Sequence, residues 1–285
     1  MDMRDVVLPF ADGVKVALAS VEDVTAAQII VGNSSNRPTA VVMSGDTIIT
    51  NAGVIAIGAN KVLSSMINNV QPTKLDRAKY VNHFSDFEGA ALNVTDGKWA
   101  TNIVGAGPPT VALVSDTANG EVACTLEATN QLQRAELYWN DQFNIDSVKN
   151  PIVTFRVKFS TFAANEFAVV GLCNARNDTY DNIVSNVWFR LEATMDLLVE
   201  GDDGTTDTDD VDTLTDVVNG TYLTLKIDLS DLTAVVFSID GTAFGTTVNL
   251  TALTGVLQPF IAAGKASGTG TPSVTLDYID IEWER

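Results

Sequence analysis

From about residue 83 onward, apolar residues recur at every second position in short runs bounded by Gly, Asn, Asp, Ser or Pro. A period of two sends successive side chains to opposite faces of an extended chain, whereas an amphipathic helix needs apolar residues every third or fourth position. Ile152-Val153-Thr154-Phe155-Arg156-Val157-Lys158-Phe159 is the clearest run. Residues 153, 155, 157 and 159 share one face, and Thr154, Arg156 and Lys158 the other. The remaining candidate strands are Val111–Val114, Val122–Glu127, Ala135–Trp139, Phe167–Cys173, Val187–Glu192, Leu197–Glu200, Tyr222–Asp228, Ala234–Ile239, Leu257–Ala263 and Ser273–Glu284. No long helical pattern separates them. The spacing predicts a mainly β domain, an antiparallel β-sandwich rather than a set of βαβ units.

The first eighty residues read differently. Gln28–Gly32 and Thr39–Met43 are strand-like around a turn at 33–38, and Ile48–Ile57 reads as a hairpin around Asn51-Ala52-Gly53. Short extended pieces are expected at Asp5–Phe10 and Val14–Leu18. Short helices are expected from Ser20 to about Ala27 and over Asn60–Ile67. Phe10 is the one aromatic residue before Tyr80, and this stretch has no Cys. A segment below about 70–80 residues with no staple rarely holds a core of its own. Residues 1–80 are therefore expected to bury their apolar faces against a partner or another copy of the chain, and residues 81–285 to form the sandwich. The polar stretch Gln71–Lys79 reads as the connector.

Composition removes several functions. Seventeen Lys and Arg against 36 Asp and Glu leave a formal charge of −19, which repels phosphate backbones, so nucleic-acid binding is not expected. No apolar run reaches the roughly 18 residues of a spanning helix, so membrane insertion is not expected, and Met1-Asp2-Met3-Arg4-Asp5 does not read as a signal peptide. Cys124 and Cys173 stand 49 residues apart with no CxxC, and His83 is the one histidine. A Cys/His zinc site cannot be assembled from these. The cysteines read as buried small side chains, with an inter-strand disulfide as the minor alternative, and His83 as structural.

Two stretches resemble known families. Gln28-Ile29-Ile30-Val31-Gly32-Asn33-Ser34-Ser35-Asn36-Arg37-Pro38-Thr39-Ala40-Val41-Val42-Met43-Ser44-Gly45-Asp46-Thr47, continuing through Asn51-Ala52-Gly53, resembles a module of about 40 residues in tailed-bacteriophage fibre and head-decoration proteins. That resemblance implies a virion structural protein, commonly trimeric, with no catalytic residues. The strand series Phe155–Phe159, Val170-Gly171-Leu172, Val187–Leu191, Tyr222–Leu229, Val236–Gly241 and Leu276–Ile281 resembles the concanavalin A-like lectin/glucanase jelly roll. Asp240-Gly241 supplies a positive-φ hairpin turn in that series.

The jelly-roll resemblance implies either a lectin or a glycosidase. Retaining glycosidases of this kind set two carboxylates about 5–5.5 Å apart, from an E-x-D-x-x-E or E-x-D-x-E pattern on one strand. Tyr278-Ile279-Asp280-Ile281-Glu282-Trp283-Glu284 has Tyr278 where the nucleophile would stand, and it is the last strand rather than a mid-sheet one. Asp280, Glu282 and Glu284 read as its solvated face. No catalytic residue is expected.

The acidic run Asp196–Asp216 holds nine carboxylates and no Lys or Arg. One reading is a structural Ca²⁺ loop with Asp202, Asp203, Asp207 and Asp209 as candidate ligands, although the spacing does not fit an EF-hand. The preferred reading is a solvated hairpin loop guarding a strand edge, with no cofactor. Of the large aromatics, Trp99, Tyr138, Trp139, Trp188 and Trp283 sit inside strand patterns and read mostly as core. Tyr180, in Arg176-Asn177-Asp178-Thr179-Tyr180-Asp181-Asn182, is expected to be exposed in a loop. Asn177, Asp178 and Asp181 beside it are candidate glycan contacts.

These readings converge on a non-enzymatic virion protein that decorates the capsid exterior or forms a short head fibre. Its expected partners are the major capsid protein and itself as a homotrimer. The alternatives are a tail fibre whose jelly roll binds host surface glycans, and a glycosidase or depolymerase. Lys61, Lys74, Arg77 and Lys79 gather the scarce positive charge near the connector. The N-terminal part is therefore expected to face the particle, and Asp202–Asp212 to face solvent.

Overall fold

Alternating burial marks β-strands such as 152–159, whereas the central strands of the other sheet are buried on both faces. A computed structural model describes residues 80–88, 91–92, 98–115, 120–142 and 145–285, together with four strand segments before residue 58. The chain divides into two compact units, Met1–Leu75 and Asp76–Arg285.

In the first unit, β1 (Gln28–Gly32) pairs antiparallel with β2 (Pro38–Val42), Gln28 opposite Val42 and Gly32 opposite Pro38. The next strands, β3 (Thr47–Ile49) and β4 (Ile55–Ile57), pair in the same sense. Both hairpins fall where the turn residues predict them. The expected pieces at Asp5–Phe10 and Val14–Leu18, the helices at 20–27 and 60–67, and the connector Gln71–Lys79 lie outside the described residues.

The second unit begins its strands with β5 (Tyr80–Ser85), β6 (Ala100–Val104), β7 (Thr110–Leu113), β8 (Val122–Thr125), β9 (Gln133–Tyr138) and β10 (Ile145–Asp146). The middle holds β11 (Ile152–Phe159), β12 (Glu166–Cys173), β13 (Asn186–Leu191), β14 (Asp196–Asp202) and β15 (Asp207–Asp216). It closes with β16 (Tyr222–Asp228), β17 (Val236–Ile239), β18 (Thr242–Ala243), β19 (Val256–Lys265) and β20 (Ser273–Glu284). Sheet one runs β15-β14-β13-β12-β19-β9-β6, with β10 also paired to β19. Sheet two runs β18-β17-β16-β11-β20-β8-β7, with β5 also paired to β20. All pairings are antiparallel, and the two sheets form a jelly-roll sandwich.

The core lies between the sheets. Val153, Phe155, Val157 and Phe159 are buried and alternate with half-exposed neighbours, as their period requires. Phe189 of sheet one meets Phe237 of sheet two edge to face at 5.2 Å, a favourable aromatic arrangement. His83 packs edge-on to Trp139 at 4.7 Å, a structural place for the one histidine. Asp240 and Gly241 have φ of 50° and 81° and turn the chain from β17 into β18.

Three expectations need correction. The final strand is not peripheral: β20 sits mid-sheet, hydrogen-bonded to β11 on one side and to β8 and β5 on the other. Ile279, Ile281 and Trp283 are buried on its inner face, which is why so long a strand is enclosed. The acidic run is not a loop, because residues 207–216 form a ten-residue edge strand. Cys124 and Cys173 are free and lie in different sheets, so the disulfide alternative falls. Burial pushes both thiols well above their ordinary pKa. Strands β5, β6, β10 and β18 were not among the expected eleven.

Candidate functional site

The outer face of sheet one carries apolar residues that would ordinarily meet water: Phe167 and Val169 of β12, Trp188 of β13, and Phe260 and Ala262 of β19. The connection from β12 to β13 covers them. A short 3₁₀ turn, Tyr180–Asn182, lays Tyr180 against Phe167 and Phe260, each at 5.3 Å and edge to face, and 6.5 Å from Trp188. Cys173 and Ile183 complete this second apolar cluster. Tyr180 is thus buried rather than exposed in a loop. The physical reason is the strip beneath it, which only the assembled sheet creates.

A buried carboxylate secures that turn. Glu136 of β9 is fully buried; it accepts hydrogen bonds from Tyr180 Oη at 2.9 Å and Asn102 Nδ2 at 2.8 Å, and pairs with Arg176. Asn177 Oδ1 accepts from the Thr179 backbone N–H at 2.9 Å, and Asp178 pairs with Arg176. Asn177 and Asp178 therefore shape the turn, and among the four sequence candidates Asp181 and Tyr180 reach the neighbouring pocket.

Gly171 of β12 allows the close packing. A Cβ there would lie 2.3 Å from the Val187 carbonyl oxygen and 2.5 Å from Trp188 Cα. Gly171→Val is expected to lower stability by about 3 kcal/mol, the upper end for overpacking a close-packed site. Denaturant unfolding checks this, and a loss within error of zero would contradict it.

The pocket, of about 270 Å³, opens where β13, β14 and β15 meet the Tyr180 turn. Asn186, Trp188 and Arg190 come from alternate positions of β13, and Glu200 and Asp202 from alternate positions of β14. The edge strand contributes through a β-bulge. Val199 pairs with Val211 and Gly201 with Thr208, so Asp209 and Asp210 together oppose the single residue Glu200. Asp210 takes a left-handed φ of 50°. Strict alternation would send one of these aspartates away, whereas the bulge delivers both to the pocket wall.

Glu200 is the best-held group there. Trp188 Nε1 donates to it at 2.6 Å and Arg190 Nη1 at 3.0 Å. Burial raises its pKa to about 7; hydrogen bonding and charge from Asp210 push the same way, against the pull of Arg190 and Trp188. Asp207 is also raised, by burial and by its neighbours Asp209 and Asp202. Because the folded state holds the Glu200 proton more tightly than the unfolded chain, this group makes stability fall as pH rises from about 4.5 to about 7. Glu200→Gln is expected to flatten the stability profile across that window. An unchanged slope in unfolding midpoints at pH 5, 6 and 7 would contradict it.

Two buried polar atoms at this pocket have no hydrogen-bond partner. One is Asn186 Oδ1, whose Nδ2 donates to the Ile183 carbonyl at 2.7 Å, and the other is Arg190 Nε. An unsatisfied buried polar atom costs about 1–3 kcal/mol, so such atoms call for an explanation.

The four Ca²⁺ candidates separate. Asp202, Asp207 and Asp209 line the pocket. Asp203 turns inward, where its oxygens accept from the backbone N–H groups of Thr205 at 2.9 Å, Thr206 at 2.7 Å and Ala252 at 2.8 Å. Among the described residues, no three His, Cys, Asp or Glu side chains gather closely enough to hold a metal ion. Asn186, Arg190, Glu200 and Asp210 were not singled out as site residues, since pocket membership depends on register and on the bulge. The three-oxygen spacing of 207, 209 and 210 was the available signal.

No model of a protein family matches the chain, and no curated protein matches its sequence. Solved structures match its fold. A glycoside hydrolase family 16 protein of Bacteroides ovatus, in complex with a G4G4G3G product, is 10% identical with a TM-score of 0.54, over 70% of this chain and 99% of that one. A protein of unknown function from Shewanella oneidensis MR-1 is 11% identical with a TM-score of 0.51, over 76% of this chain and 96% of that one. At these identities the likeness is one of fold: the chain contains a concanavalin A-like jelly roll.

Proposed function

We propose that this chain is a non-enzymatic surface protein of a tailed-bacteriophage virion, and that its jelly roll binds saccharide in the pocket beside Glu200. The observation that carries the binding reading is the pair of orphaned buried atoms, Asn186 Oδ1 and Arg190 Nε, at a polar pocket lined by carboxylates. A sugar hydroxyl both donates and accepts, so a ring placed there would supply a donor to the first and an acceptor to the second. The fold family hosts lectins as well as glucanases, which is consistent with this use.

The same geometry argues against hydrolysis. Retaining glycosidases need two carboxyl groups about 5–5.5 Å apart, and inverting ones about 6.5–9.5 Å apart. Glu200 and Asp210 stand in hydrogen-bond contact instead. Both oxygens of Glu200 are also engaged by Trp188 and Arg190. Asp280 and Glu282 belong to sheet two, away from this pocket.

The virion assignment rests on the Gln28–Val54 string and on a first unit whose short hairpins need covering. The major capsid protein and two further copies of the chain are its proposed partners, on the capsid exterior. A glycan array with the full chain, paired with a reducing-sugar release assay on every glycan bound, tests the binding reading. Binding without release is expected, and is lost in Arg190→Ala. Release of reducing ends, or the absence of any bound glycan, would overturn it. Gold labelling of purified virions tests the location, with label on the heads expected.

A further inference from the structure

We infer that the pocket beside Glu200 selects saccharides carrying a free, protonated amino group, such as de-N-acetylated hexosamines. The inference deepens the proposed saccharide binding and rests on it. The pocket wall holds six carboxyl side chains, Asp181, Glu200, Asp202, Asp207, Asp209 and Asp210, against one cation, Arg190. That cation is already committed: it pairs with Glu192 at 2.9 Å and Glu200 at 3.0 Å. A uronate, sialyl or phosphorylated sugar would meet net repulsion, and a neutral sugar would leave the surplus negative charge uncompensated.

The acidic cluster alone would not identify a ligand. The second observation is Asn186, which is 6% exposed, lines the pocket, and has its Oδ1 without any hydrogen-bond donor. Its Nδ2 is held by the Ile183 carbonyl, which keeps the oxygen on the opposite side. The pocket lining therefore holds an acceptor with no donor, on a residue that shares the wall with the six carboxyl groups.

A bare divalent cation does not answer this demand. It would need several oxygens converging on one point, and among the described residues no such acidic group exists. An ammonium spreads three N–H donors over a wider shell, so it can serve Asn186 Oδ1 and aspartates that do not converge. Arg190 Nε, an orphaned donor at the same pocket, asks for an acceptor beside that ammonium. Polyamines and lysine side chains offer none, whereas an amino sugar has a hydroxyl on the adjoining carbon. The volume of about 270 Å³ suits a single ring, lying below the roughly 300–1,000 Å³ of pockets that enclose drug-sized ligands.

The test is calorimetric titration of the full chain with three probes: a fully de-N-acetylated glucosamine trisaccharide, its tri-N-acetylated counterpart, and spermidine. The amino trisaccharide is expected to bind at least about tenfold more tightly than either of the others, the size of one charge-assisted hydrogen bond. Asp209→Asn, on the exposed edge strand, is expected to weaken the amino trisaccharide by about the same factor. If that variant lowers the melting temperature, Asp207→Asn provides the same readout. Equal binding of the two trisaccharides would overturn the amine selectivity and leave saccharide binding standing. Spermidine binding as tightly as the amino sugar would reduce the site to a general cation trap and overturn the inference. Failure of every saccharide, in this titration and on the array, would remove the underlying reading as well. Unchanged affinity in both aspartate variants would place the amine elsewhere and overturn the assignment.

Discussion

Glu136→Ala is expected to cost about 3–5 kcal/mol of stability, because removing one partner of a buried ion pair leaves the other uncompensated. Glu136 has no exposed side-chain surface, and Arg176 retains 17%. The substitution would also orphan the buried Tyr180 hydroxyl and Asn102 Nδ2, each of which donates to this carboxylate. Tyr180 roofs the apolar cluster that includes Trp188, so the damage should extend into the pocket beside Glu200. Guanidinium unfolding of the variant is the measurement, with tryptophan emission as a second signal for the loosened turn. A loss below about 1 kcal/mol would mean that the turn is held by its aromatic contacts, and that the buried pair contributes little net stability, as some buried pairs do. Glu136→Gln keeps the acceptor oxygen and should fall between the two.

The second large effect concerns where the sandwich begins. A fragment 76–285 is expected to unfold cooperatively as a soluble monomer, since about 200 residues in two sheets bury an ample core. A fragment starting at residue 83 deletes the first half of β5. Val81 pairs with Trp283 and Tyr80 with Glu284, and Asn82 Nδ2 donates to Asp280 at 2.7 Å. That shorter fragment should melt at a clearly lower temperature because the end of the central strand β20 loses one neighbour. A fragment 1–80 is expected to be unfolded or aggregated on its own, having short hairpins, one aromatic before Tyr80 and no staple. Circular dichroism melts of all three fragments decide the matter. A cooperative transition in monomeric 1–80 would show that this segment carries its own core, and would weaken the argument that it needs a virion surface to cover it. Equal melting of the 76–285 and 83–285 fragments would show that β5 adds nothing to β20.

Strand identity was legible from residues alone where burial alternates over at least part of a strand. Ile152–Phe159, Tyr222–Asp228 and Ser273–Glu284 carry in their own order of apolar and polar residues the instruction for which face turns inward. The Asp240-Gly241 turn and the two hairpins of the first unit were readable for the same reason, since a tight turn is decided by neighbours in sequence. The sandwich class followed from the number of such strands and the absence of helices between them. Edge strand β15 was not legible: its carboxylates break the apolar pattern, and its hydrogen bonds to β14, not its side chains, make it a strand.

The site lay largely beyond sequence reasoning. Tyr180 meets its carboxylate 44 residues away in Glu136, and Asp209 and Asp210 share a wall with Glu200 only because one bulge shifts the register between β14 and β15. Alternation and turn chemistry are local, so the sequence by itself determined the eleven main strands of the sandwich, the inward faces of those that alternate, and the strongly negative charge. Which strand lies beside which, where the register slips, and which polar atoms are left buried without partners are set by contacts distant along the chain. The tertiary structure alone therefore decided that residues read as a loop aromatic and a solvated acidic run meet at one pocket.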